Sequence, residues 1–219
     1  MPRRRPSSYH HGELGPALIA QARRAVVRDG HERVSLRAIA AATGVSHVAA
    51  VHHFGNREGV LAAVATAALG EITDALRVAG SHADPRRAFR AVGDAYLAWA
   101  LAHPALYRLT FAAGGWRTVE HAAMTAGVAA LVEVVAGVLR RGQLAGVHRA
   151  GSPADLALYA WSAVHGASLV ALDNPQLVGD LAADGDRLRT LVLDGIFSGV
   201  AAPVTTPARP ARRRGPRPR

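Results

Sequence analysis

The stretch SLRAIAAATGVSHVAAVHHFGNR, from Ser35 to Arg57, decides how the rest of this chain is read. Ser35 is placed to cap a first helix whose apolar side is Leu36, Ile39 and Ala40, and Thr43-Gly44 ends it, because glycine accepts the positive φ of a helix C-terminus. A second helix begins at once. Ser46 is its N-cap, Val45 and Val48 face back toward the first helix, and His47, His52 and His53 project toward a polar partner. Two short helices joined by a tight turn containing Gly form the unit that sets its second helix into a DNA major groove. Helical hairpins without a DNA role share the pattern, so spacing alone leaves both readings open.

Working outward, Leu14, Leu18, Ala22 and Ala25, with Ile19 and Val26 alongside, make one apolar stripe at helical spacing, and Gly30 closes that helix. Downstream, Asn56 caps a long helix through Ala79 with Val60, Leu61, Val64, Ala68, Ile72 and Leu76 on one face. That helix starts beside the hairpin and ends in the remainder of the chain, which makes it a physical candidate for coupling two domains. Gly70, near its middle, either lets it bend or makes room for a neighbour.

Residues 84 to 200 read as further helices. Asp84-Pro85 opens one that runs to His103, and Pro104 opens a short one through Phe111. After a Gly114-Gly115 loop, a helix spans Arg117 to Arg141 with Met124, Val128, Leu131, Val135 and Leu139 inward, and Gly142 ends it. Ser152-Pro153 caps a helix to about Leu172, Asp173-Asn174-Pro175 breaks it, and a last helix runs from about Asp184 to Val200. No strand-like alternation occurs, so the expected fold is all-α.

The first of these regions carries a resemblance. A helix ending in Asp29-Gly30, then Ser35-Leu36-Arg37 with Ile39-Ala40, Gly44-Val45-Ser46, His53-Phe54, and Arg57-Glu58 with Leu61 together resemble the N-terminal domain of TetR-type (tetracycline-repressor family) regulators over residues 14 to 64. The resemblance implies a DNA-facing surface made of Ser35, Arg37, Thr43, Ser46, His47, Val48, His52, His53 and Arg57. Two departures stand out. The family usually has leucine and tyrosine where this chain has Ala50 and Val51, and lysine where it has Arg57. Arg57 keeps a cation for a phosphate, whereas Val51 has no hydroxyl to offer. In the C-terminal half, AYLAWALAHPALYRLTFA (95 to 112) and YAWSAVHGASLVAL (159 to 172) resemble a subgroup marked by Trp161, His165 and Gly166.

Pro2 and Pro6 mark residues 1–12 as a basic disordered arm and composition marks 201–219 as a disordered Pro/Arg-rich tail, while the resemblance implies a helix-turn-helix domain over 13–59 and a helical ligand-binding and dimerisation domain over 60–200. It also implies a homodimer on a palindromic operator, paired through the last two helices, and a repressor released by a small-molecule effector. Ala157, Ala160, Ala163 and Ala167 would let helices approach closely, either within the subunit or across a dimer. A dimer has a physical reason as well, since one recognition helix reads only a few base pairs and two half-sites supply the rest.

Composition constrains these readings. Half of the 219 residues are hydrophobic, no uninterrupted apolar run reaches membrane length, and no apolar core for a signal peptide follows the basic N-terminus, so a cytoplasmic protein is expected. The absence of cysteine excludes disulfides and thiolate metal sites. The net charge of +10 is unevenly spread: Arg3 to Arg5 and six arginines beyond Ala208 leave 17 Arg against 16 acids between residues 9 and 200. The termini are therefore the basic parts, suited to phosphate contact. All 26 basic residues are Arg, which reads as codon usage before it reads as recognition chemistry.

Eight of the eleven Phe, Trp and Tyr residues fall between Phe89 and Trp161. Tyr96, Trp99, His103, Tyr107, Phe111, Met124, Trp161 and His165 are candidates to line an apolar ligand pocket, although aromatics at helical spacing also serve as plain core. His47, His52, His53, His10 and His11 have no acidic or Cys partner at metal-ligand spacing, so no metal or cofactor is expected. No GxSxG elbow, Walker loop, HExxH or GxGxxG after a strand occurs, so an enzyme is not expected. The alternatives to an operator-specific regulator are a helical ligand-binding protein and an architectural DNA-binding protein.

Overall fold

The computed structural model describes residues 14–111, 122–174, 176 and 185–202. Among them are nine α-helices: α1 (Leu14–Asp29), α2 (Leu36–Thr43), α3 (His47–Phe54), α4 (Arg57–Gly80), α5 (Pro85–Ala102), α6 (Pro104–Phe111), α7 (Ala122–Leu144), α8 (Pro153–Asp173) and α9 (Gly185–Val200). A single 3-10 turn over His31–Arg33 follows α1 and was not foreseen. The expected arm at 1–12, the Gly114-Gly115 loop, the start of a helix at Arg117, the break at Pro175 and the tail beyond Ala202 lie outside the described residues.

The caps carry the boundaries. Ser35 Oγ accepts from Ala38 N, Ser46 Oγ from Ala49 N, Asn56 Oδ1 from Gly59 N and Ser152 Oγ from Asp155 N, each satisfying one of the orphan donors of a helix start. Gly44 takes φ 76°, and its N–H and that of Val45 bond back to the α2 carbonyls, which turns the chain sharply enough for α3 to begin three residues later.

One boundary differs from expectation. Gly142 does not end α7, which continues to Leu144. Its missing side chain serves packing instead: a Cβ at Gly142 would lie 2.0 Å from His148 Nδ1, so this glycine is the cradle for the His148 ring of the turn that follows. His148 is 3% exposed, edge-on to Phe89 and Phe197, and its backbone pairs with Ala201. The turn after α7 is thereby tied to the end of α9.

The core is continuous through both parts of the molecule. Leu18, Ala22 and Val26 of α1 pack with Leu36, Ile39 and Ala40 of α2 and Ala50 of α3 against the first turns of α4. α4, 24 residues and so about 36 Å long, carries buried side chains on most of its circumference and then packs against α5, α6 and α7. Arg23 of α1 pairs with Glu71 of α4, the second nitrogen lying 3.0 Å from Oε2, which joins the two parts from outside. Gly70 is exposed and a Cβ there would meet nothing within 4 Å, so it makes no room for a neighbour.

Three helices, Arg57–Gly80, Ala122–Leu144 and Pro153–Asp173, are by length and composition apolar enough to cross a membrane. Counting uninterrupted apolar runs concealed this, because isolated Thr, Glu and Asp residues interrupt the runs without making the helices polar. For α4 the reason is plain: a helix hydrophobic nearly all round is what a position at the centre of a helical protein requires.

Candidate DNA interface and ligand cavity

α3 is held by the inward residues Ala50 (0% exposed) and Phe54, one turn apart, with Val45 at its threshold. This leaves His47, Val48, Val51 and His52 on the outward side. Val48 is 76% exposed, so the expectation that it faces back toward α2 is corrected: Ala50 holds the inward position, two residues further on and on the opposite side of the helix. Arg37 of α2 is exposed.

The other expected contact residues are already engaged within the subunit. Ser35 and Ser46 use their oxygens as caps, which leaves each O–H free to donate, and Thr43 Oγ1 donates to Ile39 O at 2.8 Å. The His53 ring lies against α1, where a Cβ at Gly15 would be 2.4 Å from its Nε2, and it meets Phe54 edge-on at 4.7 Å. Arg57, expected to offer a cation to a phosphate, is held within the subunit as well. Its Nε donates to Val34 O at 3.0 Å, one terminal nitrogen to His31 O at 2.6 Å, and the other lies 3.2 Å from Glu58. The guanidinium fixes the start of α4 to the turn after α1.

The expected pocket residues fall into three groups. Trp99 and His103 stack on each other at the end of α5, with His103 Nδ1 3.1 Å from Trp99 O. Met124 is buried in the core. Tyr96, Tyr107, Trp161 and His165 come together from α5, α6 and α8 as a hydrogen-bonded cluster, with the Phe111 ring packed against Tyr107, Trp161 and His165. Trp161 Nε1 donates to Tyr96 Oη at 3.2 Å, the two phenol oxygens are 3.2 Å apart, and His165 Nδ1 lies 2.9 Å from Tyr96 Oη and 2.6 Å from Tyr107 Oη.

Burial sets the charge state of this cluster. Burial raises the Tyr96 phenol well above its ordinary value and pushes Tyr107 up to about 12, so both are donors at neutral pH. Burial lowers the His165 pKa, which favours the neutral imidazole. The Trp161 indole is the one fixed donor, and with the two phenols and His165 it leaves no hydroxyl of the cluster without a partner.

A cavity adjoins this cluster, with ≈ 440 Å³ of empty space including its open mouth. Of the eight expected residues only Tyr96 and Trp161 line it; the rest of its wall comes from α4, α5, α7, α8 and, unforeseen, from Leu193, Ile196 and Phe197 of α9. The wall is apolar except for Arg90 and Tyr96. α9 closes it through close contact, since a Cβ at Gly93 would lie 2.4 Å from Leu193 Cδ2. Two reciprocal ion pairs flank that contact, Arg90 of α5 with Asp194 of α9 at 2.6 Å and Arg189 of α9 with Asp94 of α5 at 2.8 Å. Opposed charges on two predicted helices were the only sequence signal for this pairing. No group of three or more potential metal ligands occurs among the described residues.

A helix-turn-helix with an outward-facing second helix, joined through one long helix to a helical domain with an apolar cavity, defines a DNA-binding regulator class of fold. The description "Bacterial regulatory proteins, tetR family" matches residues 18–64, and "Tetracyclin repressor-like, C-terminal domain" matches residues 89–196. The chain belongs to the TetR family of transcriptional regulators. It is similar to a protein of unknown function from Rhodococcus sp. RHA1, with 29% identity, TM-score 0.72, and 89% of this chain and 99% of that one covered. The TetR family regulator PfmR from Thermus thermophilus (24% identity, TM-score 0.60, 81% and 97% covered) and SmeT in complex with triclosan (22%, 0.62, 94% and 99%) share the fold. No curated protein matches the chain.

Proposed function

We propose that the protein is a homodimeric repressor of a palindromic operator in the cytoplasm, released when a small apolar or amphipathic molecule enters the cavity behind α5 and α9. The observation that carries this reading is the position of α6. Tyr107 of α6 joins the cluster that forms one wall of the cavity, and α6 itself packs against α1 of the DNA-binding part and against α4. A ligand that displaces Tyr96 or Trp161 therefore disturbs a helix in contact with the recognition unit. SmeT, a structural relative, is seen with triclosan bound.

The dimer face is assigned to α8 and α9. Leu158, Ser162, Gly166 and Val170 recur every fourth residue on the outer side of α8, and Leu191 and Gly195 lie outside on α9. Leu158 is 52% and Leu191 62% exposed, and a Cβ at Gly166 or Gly195 would meet nothing within 4 Å, which suits close approach by a second copy. Ala157 and Ala160 are buried within the subunit. Two recognition helices must then sit about 34 to 36 Å apart. A ligand weakens DNA binding only if it prefers an arrangement with another spacing, and the coupling of about 1 to 3 kcal/mol is reciprocal.

The test is to select a preferred site from random duplexes, find a molecule that releases it, and titrate that molecule into the protein with and without the duplex. Operator DNA is expected to weaken ligand binding by the factor by which ligand weakens DNA binding. Equal ligand affinity in both titrations refutes the mechanism.

A further inference from the structure

We infer that the recognition helix reads thymine through its 5-methyl group, with Val48 and Val51 as the reading side chains. The inference rests on α3 docking in the major groove and adds the chemistry of the half-site.

Val48 and Val51 are three residues apart, hence on one face of α3, and they are 76% and 38% exposed. Neither belongs to the core: Val45, Ala50 and Phe54 hold α3 to its neighbours. Val48 is the second residue of the helix, and the N-terminal residues of a recognition helix are those that meet base edges. His47 and His52 flank the pair as the polar groups of the same face. Between Gly44 and Asn56 there is no Arg or Lys, so the forked contact to guanine O6 and N7 is not available from α3.

A valine brought against a base pair excludes water from it. Against guanine, cytosine or adenine edges, that exclusion strips donors and acceptors which valine cannot replace. Against thymine, it brings methyl to methyl, the one apolar group displayed in the major groove. The two valines therefore select thymine both by attraction and by penalising the alternatives. Burying one methyl group is worth about a 4-fold change in affinity, and about 16-fold when the same position in both half-sites of a palindrome is changed.

The experiment uses the full chain. A preferred site is selected from random duplexes and resynthesised with deoxyuridine replacing each thymine in turn, symmetrically in both half-sites, and affinities are read by fluorescence anisotropy at fixed salt. One or two thymine positions per half-site, each changed in both half-sites, are expected to weaken binding about 16-fold when they lose the methyl. In Val48→Ala or Val51→Ala the corresponding position is expected to become indifferent to the methyl, while dependence on salt is unchanged. Both substitutions are at exposed positions and alanine is the better helix former, so folding is not at risk. A selected site indifferent to every methyl, or a methyl effect of equal size in both alanine variants, overturns the inference and leaves operator binding standing. Failure to select any site overturns both.

Discussion

Removing one hydroxyl at a time from the buried cluster should separate its two tyrosines. In Tyr107→Phe, Tyr96 still accepts from Trp161 Nε1 and still reaches His165 Nδ1 at 2.9 Å, so no group loses its last partner. The expected loss is that of an ordinary hydrogen bond, about 1 kcal/mol. In Tyr96→Phe, Tyr107 keeps His165 Nδ1 at 2.6 Å, but the Trp161 indole N–H loses its acceptor. An unsatisfied donor adds about 1 to 3 kcal/mol, and the partial exposure of Trp161 places it in the lower half of that range. The assay is urea unfolding followed by circular dichroism at one fixed protomer concentration, because the stability of a dimer depends on concentration. A loss of 1 kcal/mol corresponds to about 2 to 4 °C in melting temperature for a chain of this size. Tyr107→Phe costing as much as Tyr96→Phe would refute the dependence of the Trp161 indole on Tyr96.

Three further outcomes are expected. Gly142→Ala forces the His148 ring to move and should cost about 1 to 3 kcal/mol, whereas Gly137→Ala, where the nearest atom is Arg140 Nη2 at 4.0 Å, should gain up to about 1 kcal/mol; equal effects in the two melts would refute the cradle. Burial lowers the pKa of both His148 and His165 in the folded protein, so the unfolded chain binds protons first and stability, full above about pH 7, is lost as pH falls below about 6.5. His148→Phe removes a buried Nε2 that has no partner and should flatten part of that loss in urea midpoints between pH 5 and 8, with an unchanged slope counting against it. Arg57→Met should lower stability by about 1 to 3 kcal/mol, because two backbone carbonyls lose a charged donor. Unchanged stability with weaker DNA binding would return Arg57 to phosphate contact.

The sequence by itself determined the local order of the molecule. Ser35, Ser46, Asn56 and Ser152 begin helices because a side-chain oxygen satisfies a backbone donor three residues away, and Gly44 ends one because it alone takes a positive φ cheaply. These are interactions between near neighbours in the chain, and residue types and spacing suffice to reveal them. The stripes of α1, α4 and α7 were legible for the same reason. What faces what was decided by tertiary structure. Val48 and Ala50 are both small and apolar, and only the packing of α3 on the core places one in solvent and the other inside. The bonds of Arg57 to Val34 and His31 were not legible, because those carbonyls lie over twenty residues earlier and only the fold brings them beside it. Gly142 looked like a helix stop, yet its purpose depends on a histidine that returns from the next turn. The cavity was least legible, since aromatic clustering marked the hydrogen-bonded cluster beside it, while its closing wall comes from α9, about a hundred residues away from Arg90 and Asp94. Contacts over such separations depend on how long helices pack, and no local spacing records them.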